Sequence, residues 1–211
     1  MKISNVNVYG IENALRVAGF PMAETLEKAA NIPLEKQEKV AKHLACCEGA
    51  TGHDQFLTGI TVTFDMTCSI QLWQEAERYR FLYFISSQSK MHRAHKMGIK
   101  ACCNEYVDDR IIEIVEEKQQ KYLALLEKNK VETVPQEEVK VCFYDMIYNI
   151  PSGFEYTAGM ITNYRQLKTI YNQRRNHRLQ EWHVFCDWIE TLPCADLIIG
   201  NYTKNRKENK E

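Results

Sequence analysis

Two sets of basic residues, one mid-chain and one near the end, are the side chains whose types and spacing could do chemistry. The first is Arg78-Tyr79-Arg80, followed by Lys90, Arg93, Lys96 and Lys100. A guanidinium is planar, permanently charged and able to grip phosphate or carboxylate with two parallel N–H bonds. The same cluster also suits a plain solvated basic face. The second set is Arg165, Lys168, Arg174, Arg175 and Arg178, interleaved with Leu167, Ile170, Tyr171, Trp182, Phe185 and Trp188. Arginines beside such an apolar stripe can line a pocket whose floor is the core, or snorkel to water and to interface partners. Anion binding is the chemistry both sets share.

Other candidates are thinner. His53 follows Gly52 in a loop entering a strand, where a surface histidine is the ordinary occupant. His92-x-x-His95, His177 and His183 could face a helix surface, but no acidic or thiol partner completes a metal set, so no metal site is expected. There is no G-x-G-x-x-G, Walker loop or G-x-S-x-G elbow.

These residues must be positioned by secondary structure that the pattern foretells in part. Residues 2–9 alternate weakly as a strand, and 11–18, 22–30 and 34–47 read as helices. Residues 58–67 are the clearest strand, with Ile60, Val62, Phe64 and Met66 on one face. A helix capped by Ser69 runs to about Phe81, residues 82–90 read as loop, and 91–102 as helix. Long helices follow over 108–129 and from Pro135 to Tyr148. Residues 154–161 suggest a hairpin or two short strands. Asn163 with Gln166 resembles a capping box opening a helix to about Glu190. The sum is an α+β chain, a mixed sheet with long helices, in a single domain over 1–203. A charged tail over 204–211 is expected to be disordered.

Bulk properties narrow the partners. The formal net charge is −1, so no global field draws the chain to nucleic acid or an anionic membrane. No stretch approaches the ~20 apolar residues of a membrane span. The eight cysteines include the doublets Cys46-Cys47 and Cys102-Cys103 and no C-x-x-C pair, and with no apolar h-region in residues 1–7 no signal peptide is expected. Reduced thiols in the cytoplasm are the expectation.

Taken together, the motifs resemble the flavin-dependent thymidylate synthase family. Gly52-His53-Asp54 is similar to that family's Gly-His-Glu, and Val62-Thr63-Phe64 to its V-T-F strand. Arg78-Tyr79-Arg80 resembles the opening of its R-H-R-x-x-S signature, and Asn163-Tyr164-Arg165-Gln166-Leu167 its N-x-R-x-L. Arg174 stands where the family keeps an arginine, and Gln180-Glu181-Trp182 is similar to its A-Q-W-E. Departures concentrate in one half of the pattern. Tyr79 replaces the central histidine, Tyr83 and Gln88 the signature serines, and Lys90 the last arginine. Glu75 replaces a glutamine, and the arginine expected shortly before Pro151 has no counterpart.

The resemblance implies a mixed α/β domain assembled as a homotetramer, with FAD at subunit interfaces. It implies that His53, Arg78, Tyr79, Arg80, Asn163 and Arg165 surround the cofactor. It places Glu75, Gln88, Lys90 and Arg174 on a small-molecule nucleotide, with Arg174 also catalytic. The implied reaction converts dUMP to dTMP with methylenetetrahydrofolate and NADPH as co-substrates. Because the flavin-side arginines remain while nucleotide-side residues change, FAD binding is expected to outlast dUMP methylation. A relative acting on another pyrimidine nucleotide, or a non-catalytic homologue, is the alternative.

Overall fold

The computed structural model describes residues 1–47 and 51–200. The elements run β1 (Lys2–Tyr9), α1 (Ile11–Ala18), α2 (Leu26–Ala30), α3 (Leu34–Ala45), β2 (Thr61–Ser69), α4 (Ile70–Ala76) and β3 (Tyr83–Ser87). They continue with α5 (Lys90–Arg93), α6 (Ile99–Cys102), α7 (Asp109–Val131), α8 (Gln136–Ile147), β4 (Glu155–Asn163), α9 (Tyr164–Arg174) and α10 (Gln180–Glu190). The four strands form one sheet in the order β1-β2-β4-β3. The Tyr164 N–H donates to the Ile60 carbonyl at 3.0 Å and the Ile70 N–H to the Phe154 carbonyl at 3.1 Å. One index climbs as the other falls, so β2 and β4 run antiparallel. The Gln88–Thr157 and Phe81–Thr162 hydrogen bonds show that β3 and β4 run antiparallel as well. The expected α+β class holds.

The period-2 pattern of β2 translates directly into burial. Val62, Phe64, Met66 and Cys68 are buried while the intervening threonines and Asp65 are only partly covered. Several boundaries differ from the sequence reading. The segment 154–161 is one strand, β4, not a hairpin. Residues 83–87, read as loop, form β3, whose five residues are all exposed. An edge strand needs only one ladder, so burial leaves no alternation to read. The helix from Asn163 breaks after Arg174 and restarts at Gln180. The helix expected over 91–102 is three short turns, and α4 stops at Ala76. A 3-10 turn, His53–Gly59, precedes β2 where the strand was expected to begin at Thr58. The tail over 204–211 lies outside the described residues.

The chain comprises two compact units. Their boundaries fall inside strands and at the end of α4 rather than at a Gly/Pro-rich linker, so no composition shift marks them. One unit contains residues 66–75 and 86–158 together with Met1 and Lys2. Its core gathers Ile99, Ile112, Val115 and Phe154, and α7 packs along α8. Gln119, buried on α7, donates to the carbonyls of Ala94 and Met97 at 2.8 and 2.7 Å, tying down the short turns before it. The other unit contains residues 3–65, 76–85 and 159 onward. Its aromatic core joins Phe64, Phe185 and Trp188 with ring centroids 4.6–6.2 Å apart. Phe185 also meets Trp182 edge-on at 5.7 Å. All elements of the candidate site belong to this second unit.

Candidate functional site

Helix α9 is the scaffold of the site. Asn163 ends β4 in an extended conformation, and its Oδ1 accepts from the Gln166 N–H at 2.9 Å. That satisfies one of the donors left open at a helix start. The reciprocal half of the expected box is missing, because Gln166 Oε1 accepts from the Phe81 N–H instead, at 3.4 Å. Downstream of this cap, Arg165, Lys168, Thr169 and Asn172 follow at i, i+3, i+4 and i+7, one face of a helix. With Asp54, Gln55, Thr58, Phe81, Asn163 and Gln166 they line a cavity of about 540 Å³. That volume lies in the range of small-molecule sites.

The polar groups around this cavity are organised by Asp54. Its Oδ1 accepts from Arg165 Nε at 3.0 Å and its Oδ2 from Lys168 Nζ at 2.8 Å. Lys168, 4% exposed, also donates to the Ala45 carbonyl at 2.7 Å, at the C-terminal end of α3, where a cation is favoured. Arg165 Nη1 donates to Gln55 Oε1 at 2.6 Å. Burial alone would raise the Asp54 pKa. The Lys168 hydrogen bond and charge, with those of Arg165, outweigh it and hold the carboxyl below its ordinary value.

The turn Arg78-Tyr79-Arg80, with Phe81 after it, is fastened to α9 at three points and to β4 at a fourth. Tyr79 Oη donates to Gln173 Oε1 at 3.1 Å and accepts from Arg174 Nε at 2.6 Å. Gln166 takes the Phe81 N–H, and Thr162 Oγ1 donates to the Phe81 carbonyl at 2.8 Å. The two basic clusters therefore converge within one chain, through Tyr79. Tyr79 is buried, and its ring meets Trp182 edge-on at 5.7 Å. The Arg174 guanidinium stacks 4.9 Å from the Trp182 ring and 5.5 Å from that of Tyr79. Arg78 and Arg80 are exposed, and Arg80 lies 5.6 Å over Phe81, which lines the cavity.

The nominated residues thus separate into groups. Asn163 and Arg165 line the cavity, and Arg80 borders it. Tyr79 and Arg174 face each other, outside the lining. His53 is exposed at the start of its 3-10 turn and is not in the lining either. Glu75, Gln88 and Lys90 belong to the other compact unit. There Gln88 is held by Thr157, whose carbonyl takes its N–H and whose N–H donates to its Oε1, each at 2.9 Å. Lys90 Nζ lies 5.6 Å over the Tyr156 ring, and burial pushes its pKa down. Ser89, a neighbour of the altered signature position, caps α5 through the His92 N–H.

Asp54, Gln55 and Thr169 are not among the expected site residues, and Lys168 enters only as a member of the second basic set. A signal for the last two was present, since they lie on the Arg165 face of α9. Asp54 enters the sequence reading only as the acidic end of Gly52-His53-Asp54. Among the described residues no group of three or more His, Cys, Asp or Glu could hold a metal ion. No described helix is long and apolar enough to cross a membrane.

The family model for thymidylate synthase complementing protein (Thy1) matches residues 11–187. Two crystal structures of the flavin-dependent thymidylate synthase ThyX from Helicobacter pylori, each with FAD and dUMP, share the fold. Their TM-scores are 0.62 and 0.63 at 13% identity, over 92% of this chain and 94% and 95% of theirs. No curated protein sequence matches. The motif order, the α9 scaffold and the span of the family match agree, and the chain belongs to the thymidylate synthase complementing protein family, that of the flavin-dependent thymidylate synthases, as a diverged member.

Proposed function

We propose that this chain is an FAD-dependent enzyme that methylates a pyrimidine deoxynucleotide, of the dUMP to dTMP type, using methylenetetrahydrofolate and NADPH. The observation that carries the reading is the fastening of Arg78-Tyr79-Arg80 to α9 beside the cavity lined by Asn163 and Arg165. The lining residues fit a dinucleotide: a partly exposed guanidinium, amide and hydroxyl groups, and an apolar wall at Phe81. Arg165 supplies charge for a diphosphate and Asn163 a polar contact, and the family resemblance adds Arg78, Arg80 and His53, exposed residues outside the lining. When bound, the flavin supplies the redox chemistry. Arg174, stacked and oriented by Tyr79 and Trp182, stabilises negative charge on the uracil carbonyl side. Burial raises the pKa of Cys102, Cys103, Cys142, Cys186 and Cys194, Cys103 to about 11, so none of these thiols is a ready nucleophile.

A second reading, action on a different pyrimidine nucleotide, draws on Gln88 and Lys90. The Gln88 carboxamide oxygen is engaged by Thr157 and Lys90 is a partly desolvated ammonium over a ring. Neither reproduces a free hydroxyl or a bidentate arginine. Assembly as a homotetramer in the cytoplasm, with sites at subunit interfaces, completes the proposal. Self-association is supported by Tyr83, Phe84 and Ile85, all exposed on edge strand β3. The test is direct. Purified protein incubated with FAD and desalted should retain flavin absorbance, and colourless protein defeats the flavin reading. Rescue of a thymidine-requiring bacterium supports dUMP as substrate. Flavin binding without rescue favours the second reading, which a thermal-shift screen with dUMP and dCMP then resolves.

A further inference from the structure

The buried ammonium of Lys168 is not among the residues that the family signature names, and its geometry gives it a definite task. We propose that Lys168 is a positioning residue for Arg165: by holding Asp54 from the side away from Arg165, it keeps the Arg165 guanidinium available to an anion in the cavity.

The ionisable residues lining the cavity are Asp54, Arg165 and Lys168, one anion against two cations. Asp54 divides its oxygens between them, Oδ1 to Arg165 Nε at 3.0 Å and Oδ2 to Lys168 Nζ at 2.8 Å. Arg165 therefore gives the carboxylate its Nε and not the two-pronged grip a guanidinium favours. Lys168 is the fixed member. Its side chain is 5% exposed, and the Ala45 carbonyl anchors it at 2.7 Å. Arg165 is the accessible member at 36%. Without the ammonium, Asp54 would have both oxygens for Arg165, and the pair would be neutral towards a ligand. With it, one unmatched positive charge remains, on the side chain that solvent and ligand can reach. The pKa of Asp54, held low despite burial, agrees with a carboxylate serving two cations.

The inference rests on the flavin reading for its ligand but is tested separately from it. FAD affinity of the full chain is measured by fluorescence quenching over a series of salt concentrations, for wild type, Lys168→Met, and the double variant Asp54→Asn/Lys168→Met. Lys168→Met should weaken FAD binding roughly ten- to hundredfold, the range of one charge-assisted contact, and flatten its salt dependence. The double variant frees Arg165 again and should recover most of both. A merely structural lysine would lower the melting temperature and leave the salt dependence of affinity unchanged. That result, or wild-type affinity in Lys168→Met, overturns the proposal. Should wild type bind no FAD, the functional reading fails and inorganic pyrophosphate becomes the probe of the same cavity. A pyrophosphate-dependent rise in melting temperature, present in wild type and absent in Lys168→Met, upholds the positioning role. No rise in wild type ends it.

Discussion

At the residue scale, the site depends on two side chains that differ from the family pattern. Tyr79 stands where the family has histidine, and its hydroxyl joins Gln173 to Arg174. Tyr79→Phe removes that hydroxyl and leaves Arg174 Nε without its acceptor. It should cost about 1 kcal/mol of stability in denaturant titration, and more than that in nucleotide affinity if Arg174 is the nucleotide residue. Equal, small losses in both would detach Tyr79 from function. Asp54 offers a pH test. Its folded pKa lies below the ordinary 3.8. Its stabilising contribution is therefore complete above that value and fades as pH falls through the folded pKa. The stability gap between wild type and Asp54→Asn should narrow on acidification below about pH 4, and a gap independent of pH there would contradict the assignment.

At the element scale, α9 carries both the cap and the cavity face. Asn163→Ala removes the cap and should cost about 1 kcal/mol. Because α9 orients Arg165, FAD affinity should fall with it, as a comparison of melting curves with and without FAD would show. Entry to α1 is a second sensitive point. Gly10 has φ +86°, and a Cβ there would collide with the Gly59 carbonyl oxygen. Gly10→Ala should therefore destabilise the chain by clearly more than the ~1 kcal/mol of a mean substitution, measured by the same titration. These two turns were differently legible. An asparagine followed by Gln166 announced its helix, whereas the demand on Gly10 arises from a segment nearly fifty residues away.

At the scale of the whole molecule, the exposed strand β3 bears on assembly. Tyr83, Phe84 and Ile85 are 51%, 40% and 62% exposed on a sheet edge, an arrangement that monomeric proteins usually blunt with charge. Phe84→Lys with Ile85→Lys should shift the proposed tetramer to smaller species in sedimentation velocity without unfolding the chain. Unchanged sedimentation would move the interface elsewhere. The groove between α7 and α8 is a separate matter: Leu125, Val141 and Cys142 line it, and nothing in the site calls on it.

What the sequence determined by itself was local. The alternation of Val62, Phe64 and Met66 dictated β2, because a strand with one buried face must repeat every second residue. The Asn163 cap fixed the start of α9, because its partner lies three residues away. The basic types of Arg78, Arg80, Arg165 and Arg174 made anion binding the chemistry to expect of them. Tertiary structure alone decided which of these side chains share a cavity. It turned Tyr79 inward onto Arg174, and it brought Asp54 to Arg165 and Lys168 across 111 and 114 residues of chain. Such pairings depend on where distant backbones come to rest, and neither residue type nor spacing encodes that separately from the fold. The edge strand β3 belongs with them, since only its ladder to β4, and no pattern of burial, makes it a strand.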